Sequence, residues 1–171
     1  MPKLTPVPYE AFVADVRELA RAIPASGWTP DFLIGIGRGG LAPAVYLSHA
    51  TGWPMLSVDY SSNVPDFSGA PLVRLAERAA AGERLLFVDD INDSGGTITR
   101  LRGELAAAGA PNGAIRFATL LDNVRSSARV EYAARQLDRS VVKDWFVFPW
   151  EAMAPTEIVL EDAAAVPERT A

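Results

Sequence analysis

Three carboxylates lie close together after an apolar run near the middle of the chain, and their spacing suits acid–base or metal chemistry. Residues 85–88 are Leu-Leu-Phe-Val, Asp89 and Asp90 follow directly, and Asp93 comes three positions later. Carboxylates accept hydrogen bonds from hydroxyl groups, hold divalent cations and take protons from a reacting base. The stretch therefore predicts a site that handles hydroxyls, a cation or a proton.

A short loop with two hydroxyls and two glycines follows these acids, and it suits an anion. Ser94, Gly95, Gly96 and Thr97 form it. Glycines let the backbone turn tightly and bring its N–H groups close to a ligand, and the N-terminus of a following helix adds partial positive charge. The loop could then hold a phosphate through its backbone. The alternative is a solubilising turn with a helix cap at Ser94 or Thr97.

A buried strand must position these groups. An apolar run bounded by polar and glycine residues is typical of a strand that is buried on both faces of a parallel sheet. Ligands of such sheets bind outside the carboxyl ends of the strands, which is where Asp89 and Asp90 fall. The chemistry is therefore expected at that edge of the sheet.

A second glycine-rich loop, residues 37–40, occupies the same position after another predicted strand, residues 32–36. Its Gly-Arg-Gly-Gly sequence exposes backbone N–H groups, and Arg38 carries a permanent charge suited to phosphate oxygens. A plain strand-to-helix turn is the alternative, and the formal match of residues 35–40 to a dinucleotide-binding GxGxxG pattern is weak evidence. Two anion-suited loops with carboxylates between them suggest a ligand that is phosphorylated at both ends, with a sugar in the middle.

Alternating strands and helices predict an α/β domain with a parallel sheet. The spacing of apolar residues predicts helices over residues 9–23, 41–50, 72–81 and 98–108, and strands over residues 32–36, 55–60, 85–88 and 115–121. Residues 61–71 are rich in Ser, Pro, Gly and Asn, which predicts a long loop that acts as a lid. No repeat or domain boundary is visible, so residues 1–171 are expected to form one domain.

The composition narrows the class of protein. Of the 171 residues, 49% are hydrophobic and 22% are charged, which suits a globular domain. The net charge of −5 argues mildly against broad nucleic-acid binding, and the lack of cysteine excludes disulfides and thiol chemistry. The chain starts without a signal pattern, and its apolar runs are too short to cross a membrane, so we expect a cytoplasmic protein.

Three segments of the chain carry a family resemblance. Residues 88–97 contain the paired acids and the loop after them, residues 37–43 contain the second glycine-rich loop, and residues 145–151 read Trp-Phe-Val-Phe-Pro-Trp-Glu. Together they resemble the type I phosphoribosyltransferases, above all the bacterial xanthine-guanine and hypoxanthine enzymes of purine salvage. In that family the corresponding segments are the binding motif for phosphoribosyl pyrophosphate, the pyrophosphate loop and a hood over the base.

This resemblance implies a fold and an activity. The fold is that of the type I phosphoribosyltransferases, a central parallel sheet flanked by helices, with a small C-terminal hood at about residues 141–155. Separately, the acidic, Ala-rich composition from Glu161 onward predicts a tail that frays after about residue 160. The activity is Mg²⁺-dependent transfer of ribose 5-phosphate from phosphoribosyl pyrophosphate to a nucleobase, expected to be hypoxanthine, guanine or xanthine. A homodimer or homotetramer is implied by the resemblance, while the acidic composition and the short apolar runs predict no nucleic-acid or membrane partner.

The resemblance also implies roles for single residues. Asp89 and Asp90 would bind the ribose hydroxyls and help place Mg²⁺, directly or through water, and Asp93 would manage the proton of the base. The expected site for phosphoribosyl pyrophosphate comprises Arg38, Gly39, Asp89, Asp90, Asp93, Ser94, Gly95, Gly96 and Thr97. A cis peptide is expected between Gly37 and Arg38.

Recognition of the base is expected from Asn123, Trp145 and Phe146. Trp145 would stack on the base, and the Phe146 backbone would meet its edge. The purine enzymes usually place a lysine where Asn123 stands, and the asparagine amide, with a donor and an acceptor, could read an oxo or an amino group. Arg125 or Lys143 could instead supply a charge from nearby.

Two other functions stay open at this point. A regulator on the same fold would sense phosphoribosyl pyrophosphate or a nucleotide and bind nucleic acid, although the acidic composition disfavours this. An enzyme of the same class could instead use a pyrimidine or an unusual base, because a stacking tryptophan accepts any flat ring.

Overall fold

The computed structural model describes residues 3–59 and 69–165. Their strands are β1 (Leu4–Pro6), β2 (Phe32–Ile36), β3 (Met55–Val58), β4 (Leu85–Asn92), β5 (Ile115–Asn123), β6 (Tyr132–Leu137) and β7 (Trp145–Val147). Their helices are α1 (Tyr9–Ala25), α2 (Gly37–Thr51), α3 (Gly69–Ala80), α4 (Gly96–Ala107) and α5 (Thr156–Ala164), with a 3-10 turn at Pro149–Glu151.

The main sheet is parallel throughout, in the order β3-β2-β4-β5-β6. Strand β4 lies at its centre, and its first four residues are completely buried. Leu86 and Val88 pack with α1 and α2 on one face, whereas Leu85 and Phe87 pack with α3 and α4 on the other. The sequence prediction of an α/β fold with a parallel sheet between helices is confirmed.

Helix α2 begins four residues earlier than predicted, because the glycine-rich residues 37–40 form its first turn instead of a loop. The turn lies directly on the sheet. A Cβ atom at position 40 would come within 2.0 Å of the Val88 carbonyl oxygen, and one at position 39 within 2.5 Å of Asp90 Oδ2. Glycines at these two positions therefore let the helix backbone contact the end of β4.

Strand β4 also extends further than predicted, since the prediction ended it at Val88. Its pairing with β5 continues as far as Asn92, which lies opposite Asp122. Polar side chains do not end a strand whose backbone still has a neighbouring strand to pair with. Asp89 and Asp90 therefore project from a rigid strand rather than from a loop.

Three strands were missed by the sequence analysis. The edge strand β6 alternates poorly because it carries a surface arginine, Arg135, which forms an ion pair of 2.7 Å with Asp15 of α1. Strands β1 and β7 have only three residues each and form a separate two-stranded parallel sheet. This small sheet joins the start of the chain to the predicted hood.

Two predictions concern the ends of segments. The lid expected at residues 61–71 lies outside the described residues up to position 68, and residues 69–71 belong to α3. The tail expected to fray after residue 160 is helical as far as Ala164, because Val159 and Ala163 are buried. One domain over residues 1–171 stays a prediction.

In the described part of the chain, no helix is both long and apolar enough to cross a membrane.

The contact between α2 and β4 gives a prediction about stability. Gly40→Ala should lower the free energy of unfolding by at least about 2 kcal/mol, since the new methyl group would overlap the Val88 carbonyl. Gly103→Ala, in the open middle of α4, is the matched control and should raise stability by up to about 1 kcal/mol. Urea denaturation of both variants measures the difference. Equal stability of Gly40→Ala and the wild type would contradict the packing described above.

Candidate active site

The candidate site lies at the carboxyl ends of β2, β4 and β5. A cavity of about 170 Å³ is lined by residues 89–98, which include the acids of β4 and the loop before α4. The first turn of α2 borders the same edge through the approach of Gly39 to Asp90. The structure therefore brings together the two anion-suited turns that were found in the sequence.

The loop between β4 and α4 presents backbone N–H groups at the start of a helix. Gly95 has a φ of +90°, a conformation that favours glycine, and α4 begins at the next residue without a side-chain cap from Gly95. Ser94, Gly96 and Thr97 are exposed, and the Ser94 hydroxyl accepts a long hydrogen bond of 3.4 Å from the Gly96 N–H. The open N–H groups and the helix N-terminus suit a phosphate.

Residues 126–128 brace this loop from behind, a contact that the sequence analysis missed. The Ser127 hydroxyl and N–H both donate to the Ser94 carbonyl oxygen, at 2.7 and 3.1 Å. A Cβ atom at position 95 would lie only 2.5 Å from the Ala128 nitrogen. Two adjacent serines after a strand suggest a turn, but nothing in the sequence indicates which loop that turn supports.

Asn92 connects the brace to the end of β5. Its amide nitrogen donates to Asp122 Oδ1 at 2.7 Å and to the Ala128 carbonyl at 2.8 Å, and its amide oxygen accepts from Ser126 Oγ at 2.9 Å. Asn92 is only 2% exposed, so these bonds satisfy a buried amide. The network fixes the backbone just before Asp93.

The two acids of β4 face opposite sides of the strand. Asp90 lies against Gly39 of α2, and alternation along the strand directs Asp89 to the other face. Burial raises the pKa of the Asp89 carboxyl well above its ordinary value and the Asp90 charge raises it further, although a hydrogen bond from the Asp90 N–H opposes both. A bound cation or hydroxyl donors would relieve this strain on the charged form.

Arg38 projects from the first turn of α2 and is exposed. Burial raises the pKa of Glu151 in the hood, and the positive charge of Arg38 partly opposes that rise. The expected cis peptide is not present, because the described residues contain only trans peptide bonds. The backbone instead turns through Gly37, whose φ is +51°.

Asp93 forms an ion pair with a residue that the sequence analysis missed. Arg139 Nε lies 3.1 and 3.2 Å from the two carboxylate oxygens, and Nη2 lies 2.9 Å from Oδ2. Both residues are 7% exposed, so removing either charge would leave the other buried, at a cost of about 3–5 kcal/mol. Arg139 follows β6 in a stretch whose composition indicates only a solvated turn.

Asn123 lies beside Asp93, and both ends of its buried amide are bonded to the backbone. Nδ2 donates to the Asp93 carbonyl at 3.0 Å, and Oδ1 accepts from the N–H groups of Arg125 and Arg139 at 3.2 Å each. The Arg125 side chain is bonded to Asp138 at 2.6 Å on the surface. Lys143 is half-buried in the hood.

The predicted hood residues are partly brought to the site. Phe146 of β7 lies under the Arg139 guanidinium, whose central carbon is 5.3 Å from the ring centroid. Trp145 is half-buried, and its backbone N–H donates a 2.8 Å hydrogen bond to the carbonyl of Lys3, the residue before β1. Phe148 and Trp150 stack at 4.8 Å and form the hood's own packing.

Comparison with known families decides the kind of protein. The sequence pattern of the phosphoribosyl transferase domain matches residues 8–155, most of the chain. The chain belongs to this family. The resemblance noted from the sequence is thereby confirmed.

Solved structures share the fold over nearly the whole chain. The purine phosphoribosyltransferase of Pyrococcus horikoshii Ot3 is 25% identical, with a TM-score of 0.63 over 88% of this chain and 96% of that chain. The xanthine-guanine-hypoxanthine phosphoribosyltransferase of Helicobacter pylori is 20% identical, with a TM-score of 0.65 over 94% and 97%. A hypothetical protein of Neisseria gonorrhoeae with bound ppGpp is 21% identical, with a TM-score of 0.69 over 96% and 98%.

The raised pKa of Asp89 gives a prediction about pH. A folded state that holds this proton more tightly than the unfolded chain loses stability as pH rises from the ordinary carboxyl pKa through the folded-state pKa. Asp89→Asn should therefore raise the Tm at neutral pH in the absence of metal, and the gain should shrink as pH falls towards ~4. Thermal unfolding in EDTA at several pH values measures it.

Asp138→Asn is the control with the opposite sign. The Arg125 guanidinium lowers the pKa of Asp138, with help from Ser140, so ionised Asp138 stabilises the fold above the ordinary carboxyl pKa. This variant should lower the Tm slightly at neutral pH. A lower Tm for Asp89→Asn as well would show that Asp89 is stabilised, not penalised, in the folded state.

Proposed function

We propose that the protein is a Mg²⁺-dependent phosphoribosyltransferase of nucleotide salvage, which transfers ribose 5-phosphate to a 6-oxopurine and releases pyrophosphate. The observation that carries the proposal is the pair of anion-suited turns, at the ends of β2 and β4, with Asp89 and Asp90 between them. A ligand with phosphates at both ends of a sugar fits that order of groups. Membership of the phosphoribosyl transferase family supports the same reaction class.

Each part of phosphoribosyl pyrophosphate has a counterpart in the site. The backbone N–H groups of residues 93–97, with the hydroxyls of Ser94 and Thr97, would hold the 5′-phosphate. Asp89 and Asp90 would accept hydrogen bonds from the ribose hydroxyls, and Arg38 with the Gly39 N–H would hold the pyrophosphate.

The donor set fits Mg²⁺ when substrate is present. Asp89 and Asp90 are adjacent, and the described residues contain no group of three or more His, Cys, Asp or Glu that could hold a metal. Mg²⁺ is commonly bound by one or two carboxylates together with substrate phosphates and water. When bound, it would neutralise charge on the departing pyrophosphate.

The transfer is a displacement at the anomeric carbon. A ring nitrogen of the base forms a bond to C1′ as the bond from C1′ to the pyrophosphate oxygen breaks, and that electron pair leaves with pyrophosphate. The carbon inverts. The Asp93 carboxylate, held by Arg139, would receive or share the proton of the imidazole ring of the purine.

The choice of a 6-oxopurine rests on the hood and on similar proteins. Trp145 would stack on the base, and the Phe146 backbone would meet its edge. Asn123, whose Oδ1 already accepts from two backbone N–H groups, would offer the base the second N–H of its amide nitrogen. The names of the similar Pyrococcus and Helicobacter proteins record purine and xanthine-guanine-hypoxanthine activity. Asn123 stands where the purine enzymes that the sequence resembles usually place a lysine, so the identity of the base is tested directly.

A second candidate function is a nucleotide sensor on the same fold. The similar Neisseria protein was solved with ppGpp, a nucleotide with phosphates at two positions, and two anion-suited turns would accept such a ligand too. A sensor would bind phosphoribosyl pyrophosphate or nucleotides without turnover. It would also bind a nucleic acid in a salt-dependent way, seen as a shift in the electrophoretic mobility of that nucleic acid.

A pyrophosphate-release assay separates the two candidates. Protein, Mg²⁺ and phosphoribosyl pyrophosphate are combined with hypoxanthine, guanine, xanthine, adenine or uracil in turn. Release with one or more of the three 6-oxopurines is expected. Release with adenine or uracil alone would support the enzymatic activity but show that the acceptor is not a 6-oxopurine. Binding of phosphoribosyl pyrophosphate without pyrophosphate release in the presence of any of the bases would favour the sensor.

Asp93→Asn tests the proton-handling role. Turnover should fall at least about tenfold, because an amide cannot accept the proton as a carboxylate does. Affinity for phosphoribosyl pyrophosphate, measured by calorimetry, should be unchanged. Glu104→Gln, a half-buried acid of α4 that is paired with Arg100, is the matched control and should retain full turnover. Full turnover by Asp93→Asn would show that the Asp93 carboxylate does not handle the proton of the base.

A further inference from the structure

Arg139 connects three segments that meet around the proposed position of the base. Its guanidinium binds the Asp93 carboxylate in the loop between β4 and α4, and its backbone N–H donates to Asn123 Oδ1 at the end of β5. Its third nitrogen, Nη1, donates to the carbonyl oxygens of Val142 and Asp144 at 3.3 and 2.6 Å. Asp144 directly precedes β7, so one buried side chain links the loop to the hood.

We propose that Arg139 is a positioning residue, which holds the Asp93 carboxylate and the start of the hood in one arrangement for the acceptor base. The inference rests on the proposed function, in which Asp93 handles the proton of the base and β7 covers its ring. It adds a residue that neither the family resemblance nor the sequence pattern indicates.

The geometry of the ion pair orients Asp93. Nε contacts both carboxylate oxygens and Nη2 contacts one of them, so the planar guanidinium fixes the plane of the carboxylate as well as its distance. A lysine ammonium in the same place would supply charge at one point, without a fork that sets this plane. The orientation of Asp93 therefore depends on the guanidinium itself.

The contacts of Nη1 fix the hood relative to Asp93. The Asp144 side chain is held on its other side by Lys3 at 2.7 Å and Thr5 at 2.6 Å, so the start of β7 is anchored to β1. Arg139 joins this anchored backbone to the carboxylate, and its guanidinium covers the Phe146 ring. Loss of Arg139 would release Asp93 and the hood from each other while leaving β1 and β7 paired.

Steady-state kinetics of three variants test the proposal. Arg139→Gln should raise the KM for the base and lower kcat, with a fall of about a hundredfold in kcat/KM for the base, as misplacement of a reacting group by about 1 Å would produce. Arg139→Lys should recover only part of that loss, because it restores charge without the fork. Affinity for phosphoribosyl pyrophosphate should stay within about twofold of wild type. The Arg139 side chain binds the Asp93 carboxylate and the carbonyls of Val142 and Asp144, whereas the phosphates are proposed to bind the backbone of residues 93–97 and the first turn of α2.

Arg21→Gln is the matched control, because Arg21 is an exposed arginine of α1 that is paired with Glu18 of the same helix. It should leave all constants within about twofold. Thermal unfolding identifies a temperature at which every variant is folded, and the kinetics are measured there. If Arg139→Gln is not folded at any usable temperature, Arg139→Lys carries the comparison and must still show a raised KM for the base.

A double-mutant cycle separates positioning from general structural support. If Arg139 acts through Asp93, Arg139→Gln should cost much less in kcat when Asp93 is already Asn than it does in the wild type. A residue that only stabilises the fold would show the same fold-loss in both backgrounds. Additive losses would overturn the proposal.

The outcomes distinguish the inference from the proposed function. An active wild type with Arg139→Gln equal to Arg21→Gln would leave the function standing and overturn the role of Arg139. A wild type that releases no pyrophosphate with any base would contradict the function, and GMP binding then tests the hood arrangement directly. In that case, weaker GMP binding by Arg139→Gln at unchanged affinity for phosphoribosyl pyrophosphate would support the arrangement, and equal GMP binding would overturn it.

Discussion

The backbone contact between α2 and β4 is the constraint on which the site depends. At Gly40 the helix lies so close to the Val88 carbonyl that a single methyl group would not fit, and at Gly39 it lies nearly as close to the Asp90 carboxylate. Glycine at both positions lets Arg38 and the acids of β4 share one edge of the sheet. A buried, fully paired β4 makes this contact rigid, since its first four residues cannot move without disturbing the packing on both faces of the sheet.

Rigidity at the loop after β4 comes from another source. This loop has few regular hydrogen bonds of its own and must keep its N–H groups open for a ligand. The bonds that hold it run to its rear: Ser127 binds the Ser94 carbonyl, Asn123 binds the Asp93 carbonyl, and Asn92 binds residues 122 and 128. Such an arrangement leaves the ligand side free while it pre-organises the donors, which is what anion binding with little loss of entropy requires.

The sequence predicted the parts of the site that are local and missed those that are formed between distant segments. The order of strands and helices, the paired acids and both turns follow from periodicity and composition over a few residues. The early start of α2 and the extension of β4 depend on a neighbouring backbone, as does the brace at residues 126–128. Arg139 lies 46 positions from Asp93 in a polar turn, and a buried ion pair leaves no local pattern there. Charged residues at turns are usually solvated, so the sequence favoured the wrong environment.

The site contains two carboxylate environments with opposite electrostatic character. Asp93 is already neutralised by Arg139, so its position is set before any ligand arrives. Asp89 instead lies half-buried beside Asp90, and the raised pKa of its carboxyl shows that a negative charge there is unfavourable in the protein by itself. A cation or hydroxyl donors would lower that cost, so a ligand that supplies either of them would bind more tightly at Asp89 and Asp90. The geometry around the proposed position of the base is thus built into the fold, whereas the proposed ribose and pyrophosphate region would be completed by its substrate.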